Sequence, residues 1–109
     1  MTVQEAILSI TLYPCPSNTI TKVLLDRGIT SSDTYTKAIG EKDAFRLSCA
    51  DLLIFISENP STIREMDSSI VLSDSILENI RNKANKIYSE LEPDSLDAND
   101  VWGFIGTKI

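Results

Sequence analysis

The sequence predicts an all-α protein: a small bundle of four to five helices, with an irregular loop or tiny β-hairpin before the last helix and an extended C-terminal arm. Two observations predict it. Apolar residues recur at i, i+3, i+4 and i+7 in successive stretches, the spacing of one helix face. Prolines and glycines fall between those stretches, where they end helices instead of interrupting them.

Thr2-Val3-Gln4-Glu5 reads as a capping box, in which Thr2 and Glu5 satisfy each other's backbone N–H. Val3, Ala6, Ile7 and Ile10 then mark one face of a first helix over Val3–Thr11. Tyr13-Pro14-Cys15-Pro16 ends it. Ser17 is the expected N-cap of a second helix, with Ile20, Val23 and Leu24 as its stripe and Gly28 as the residue just past its end. Ser31, Ser32 and Asp33 offer caps for a short third helix or turn through Ala38, punctuated by Gly40.

Residues 41–58 form the strongest core element. Glu41 and Asp43 suit the positive end of a helix dipole. Phe45, Cys49, Leu52, Leu53 and Ile56 make one broad face, which Leu47 and Ile54 widen until it predicts packing on more than one side. Asn59-Pro60 stops this helix. Residues 61–72 show no helical period, and Thr62-Ile63-Arg64 pairs with Ile70-Val71-Leu72 in the expected hairpin. In the last helix, Ile76, Ile80, Ala84, Ile87 and Leu91 face inward, while Asn79, Asn82, Lys83, Asn85, Lys86 and Ser89 stay wet. Ser75 and Glu78 offer it a capping box, and Ser73 is a competing cap.

Pro93 breaks that helix, and the chain divides there into a helical domain, 1–91, and a tail, 92–109. Glu90, Glu92, Asp94, Asp97 and Asp100 follow one another with no base among them. Val101-Trp102-Gly103-Phe104-Ile105 then carries the chain's one tryptophan. Two readings of this arm stand side by side. Trp102, Phe104 and Ile105 fold back on their own core, or they reach a neighbouring subunit with the acidic stretch as tether. Aromatic side chains suit such anchoring because they bury much area with few rotors to freeze.

The 109 residues, 42% hydrophobic and 24% charged, suit one globular domain. No apolar run approaches the roughly 20 residues that span a bilayer, so no membrane partner is expected. A net charge of −6 with scattered bases argues against direct nucleic-acid binding, which draws on clustered Lys and Arg. Cys15 and Cys49 are expected to be reduced thiols in a cytoplasmic protein.

The chain has no histidine, the commonest general base and metal ligand. Serine and cysteine triads are therefore unavailable, and two cysteines make no structural zinc site. Neither GxxxxGK[ST] nor GxGxxG occurs, and the acids of 92–100 lack EF-hand spacing. Asp43 with Asp51, or Glu65 with Asp67, are formal acid–base pairs, but solvated surface charge is the plainer reading. The sequence thus predicts no enzyme, no cofactor, no metal and no small-molecule substrate; it predicts a chain that binds other proteins.

The layout resembles the small all-helical head–tail connector proteins (head-completion or adaptor proteins) of tailed phages and prophages. The resemblance rests on Met1-Thr2-Val3-Gln4-Glu5-Ala6-Ile7 opening into a short helix and on Tyr13-Pro14-Cys15-Pro16-Ser17 leading a second. It rests also on Arg46-Leu47-Ser48-Cys49-Ala50-Asp51 in a long central helix, on the helix through Arg81-Asn82-Lys83-Ala84, and on the acidic linker and Phe-Ile-Gly tail. It implies a homo-oligomeric ring beneath the portal that joins capsid to tail, in the host cytoplasm and then in the virion. The acidic charge is compatible with a lumen that passes DNA without gripping it. By layout, the resemblance places inter-subunit contacts at Ile63, Met66, Ile70 and Val71 in the loop, and at Trp102, Phe104 and Ile105 in the arm. The alternative is a cytosolic helical adaptor or regulatory module that binds one protein through the same arm.

Overall fold

The computed structural model describes residues 1–91. The arm, with Trp102, Phe104 and Ile105, lies outside the described residues. Within them the chain forms six helices and no strand: α1 (Val3–Thr11), α2 (Ser17–Asp26), α3 (Lys37–Gly40), α4 (Asp43–Glu58), α5 (Pro60–Met66) and α6 (Asp74–Leu91). The fold is the expected all-α bundle, with one helix more.

That extra helix replaces the expected hairpin. Pro60 takes the first turn of α5, where its missing N–H is one the helix leaves unbonded anyway. It therefore ends α4 and starts the next helix at once. Ile63, expected in the hairpin, turns inward from α5 and is fully buried. Only the connection from Asp67 to Ser73 stays irregular, with Asp67 accepting from the Ser69 backbone N–H at 3.0 Å and from its hydroxyl at 2.6 Å.

The start of α1 is tied down on every first-turn donor. Glu5 N–H donates to Thr2 Oγ1 at 3.2 Å, and Thr2 N–H donates to Glu5 Oε1 at 2.8 Å. Val3 and Gln4 donate to the carbonyls of Asp33 and Ser31 at 2.9 and 3.0 Å. A helix start normally leaves four such groups free. Here the loop between α2 and α3 supplies half of the acceptors, so the N-terminus is pinned across it.

Ser17 is the first residue inside α2, and Pro16 occupies the cap without a side-chain bond, one position from the expected arrangement. The end of α2 is as expected. Gly28 has φ of +80°, its N–H bonds Leu25 C=O at 2.9 Å, and Ile29 N–H bonds Leu24 C=O at 2.9 Å. This pair of bonds closes the helix and lays Ile29 back on the core. The third helix starts later than Ser31–Asp33 suggest, because Thr36 takes the cap by accepting from Ile39 N–H at 3.2 Å. Gly40 faces the Tyr35 phenol with no room for a Cβ, and the Tyr35 ring in turn meets Phe45 at 5.5 Å.

Every extensive helix–helix contact among the described residues involves α4, most of all that with α6. This explains its unusually wide apolar face. Phe45, Cys49, Ala50, Leu52, Leu53 and Ile56 are all buried. Ser48 and Ser57 are buried too, and their hydroxyls donate back to the carbonyls of Ala44 and Ile54 at 2.9 and 2.8 Å, so no polar group is stranded. The helix begins at Asp43, two residues later than the acids at 41 and 43 suggest. Helix α6 starts on Ser73, whose Oγ accepts from Ile76 N–H, so the competing cap wins over Ser75.

Candidate functional site

The candidate site is a groove of about 420 Å³ where the end of α1 meets α4 and α6. Its floor is apolar: Cys49 and Leu53 from α4, Ile80 and Ile87 from α6. The Cys49 thiol adds no charge, since burial pushes it up to about 12 against the weaker pull of Arg46. One lip is made by Ile10 and Leu12, the other by Arg46, Lys83 and Lys86.

Two features distinguish the groove. Leu12 caps α1 with φ of +68°, a left-handed conformation that glycine or asparagine ordinarily supplies at this position. A leucine there carries roughly 1–2 kcal/mol of strain, yet its side chain is 78% exposed. Strain at an exposed apolar residue is a cost that the core does not explain. The second feature is charge. Three of the ten bases in this acidic chain stand on the rim. Arg46 Nη2 lies 3.7 Å from Glu90 Oε1, whereas neither Lys83 nor Lys86 has an ion-pair partner among the described residues.

The loop residues placed at an interface by resemblance fall elsewhere. Ile63 is withdrawn altogether, at 0% exposure in the core. Ile70 is half-buried against the same core. Met66 and Val71 are exposed, Val71 by 73%, but they do not line the groove. The arm residues Trp102, Phe104 and Ile105 lie outside the described residues. The sequence carried a weak sign of the groove that periodicity overlooks. Lys83 borders the inward stripe of Ile80, Ala84 and Ile87 at the edge of the wet face. Nothing in the sequence announces the backbone of Leu12.

Of the formal acid–base candidates, Asp51 is engaged by other side chains and the rest are exposed. Asp51 accepts two bonds from Arg27, from Nε at 2.8 Å and from Nη2 at 3.1 Å, and a third from the Tyr88 hydroxyl. It is a clamp joining the end of α2, the middle of α4 and the end of α6. Asp43 is exposed in the first turn of α4, and Glu65 and Asp67 are exposed near the end of α5. No group of three His, Cys, Asp or Glu side chains among the described residues is placed to hold a metal ion. Both cysteines are free and buried, and burial pushes Cys15 up to about 11. No helix among the described residues is long and apolar enough to cross a membrane.

Fold and groove together define a small all-α protein with an apolar, basic-rimmed concavity. Residues 1–101 match the model of DUF6706, a family of unknown function, and the chain belongs to that family. No curated protein and no solved structure matches it. The groove lies wholly inside the matched span, whereas Trp102, Phe104 and Ile105 fall just beyond it.

Proposed function

We propose that this chain is a non-catalytic assembly protein of the head–tail connector kind, which oligomerises and joins a capsid portal to a tail. Segments of neighbouring chains are held in the groove between α1, α4 and α6. The groove is the observation that carries the reading. Its walls offer apolar area and a cationic edge, which suit a peptide segment with apolar anchors flanked by acids. The chain's own tail has that chemistry, with acids at 92, 94, 97 and 100 followed by Trp102, Phe104 and Ile105. Met66 at the end of α5 and Val71 in the connection that follows it are exposed and offer a further contact surface.

The test uses the full chain, alone and co-expressed with whichever portal and tail proteins its genome encodes. Light scattering that reports larger species at higher concentration, together with co-purification of a portal or tail protein, is the expected result. A chain that stays monomeric throughout and retains neither protein overturns the connector reading. A monomer that captures one host protein through the groove instead identifies it as an adaptor.

A further inference from the structure

We propose that in the free chain the groove is covered by the chain's own C-terminal segment. Trp102 and Phe104 seat between Leu12 and Ile87, and the acids of residues 92–100 lie against Lys83 and Lys86. This rests on reading the groove as a docking surface for such segments, and it adds a regulatory step: a partner or a second copy must displace the segment before assembly.

Three observations carry it. The first is where the described chain ends. Glu90 lines the groove, and residue 92 lies two positions further on. From Ile80 to Glu90 the groove follows ten residues of helix, about 15 Å at the α-helical rise. The ten residues 92–101 can reach at most about 33 Å, so Trp102 can arrive at any point along the groove. An attached segment that can reach the groove meets it at an effective concentration in the millimolar range. A second copy competes only at comparable protein concentration.

The second observation is charge. Four acids of the tether, Glu92, Asp94, Asp97 and Asp100, face a rim whose Lys83 and Lys86 have no acidic partner among the described residues. The third is the apolar area left uncovered. Ile10 and Leu12 are 53% and 78% exposed on one lip. A volume of about 420 Å³ lies within the roughly 300–1,000 Å³ of sites that enclose drug-sized ligands, which is room for an indole and a phenyl ring.

Trp102 is the sole tryptophan, so its emission reads the segment directly in the full chain. The expected result is blue-shifted emission that does not vary with protein concentration. In the Lys83→Glu/Lys86→Glu variant, emission moves toward that of free tryptophan and quenching by acrylamide rises several-fold. Both lysines are exposed, and circular dichroism confirms that the helices persist. Three outcomes overturn the proposal: wild-type emission like that of free tryptophan, a blue shift that appears only on concentration, or a blue shift indifferent to the charge reversal. The first and third of these do not depend on oligomer formation and none needs a portal, so this test and that of the connector reading fail separately.

Discussion

At the scale of single residues, two positions hold local features that contribute unequally to the fold. Leu12 adopts a backbone that glycine adopts freely and buries little of its side chain. Leu12→Gly should therefore raise stability by about 0.5–1 kcal/mol through relief of strain, seen as a higher thermal midpoint. The same change removes an exposed apolar lip and should loosen Trp102, seen as red-shifted emission. A variant that is both less stable and unchanged in emission would sink this account of Leu12. Glu5 is the second case. The Thr2 backbone N–H, then the Thr2 hydroxyl, hold the Glu5 carboxyl below its ordinary value. A depressed acid adds stability that is present above its unfolded pKa and lost as pH falls through its folded one. The capping box should thus weaken on acidification below the ordinary glutamate range. Glu5→Gln keeps an acceptor for Thr2 N–H and should flatten that part of the pH dependence of the melting midpoint.

At the scale of elements, the Arg27–Asp51–Tyr88 clamp ties three helices through one half-buried carboxylate. Asp51→Ala removes the acceptor that the other two share and should cost about 1–2 kcal/mol, discounted for the partial exposure of the pair. Tyr88→Phe should cost about 1 kcal/mol or less. Because both bonds meet at Asp51, the Asp51→Ala/Tyr88→Phe pair should cost less than the sum of its parts in urea unfolding; strict additivity would show that the clamp is not one unit. Nothing in the sequence links positions 27, 51 and 88, which are brought together only by the fold. Local signals fared better. The α1 capping box and the glycine at the end of α2 were legible because their partners lie within five residues. Pro60 was legible only as a break, since whether a proline ends one helix or also opens the next depends on whether the following residues find a core. Ile63 found one, and so left the expected interface.

At the scale of the whole molecule, charge decides what salt does. Each chain carries −6, so approach of copies is opposed by a repulsion that salt screens, with a Debye length near 10 Å at 0.1 M and near 3 Å at 1 M. If the C-terminal segment covers the groove as proposed, attraction of its acids to Lys83 and Lys86 is screened as well, and the groove opens. The same ion pairs made between copies are screened equally, which leaves the relieved repulsion and the apolar anchors to decide, so oligomerisation should increase with sodium chloride. An interface held chiefly by ion pairs between copies would respond in the opposite sense. Light scattering at fixed protein concentration, read beside Trp102 emission across the same salt series, separates the two. Larger species should appear as the segment is released, and the Lys83→Glu/Lys86→Glu variant should already show a more exposed Trp102 at low salt. Species that shrink as salt rises would place the assembly contacts on charged rims, away from the apolar groove, and would leave the strained leucine at its edge without a role.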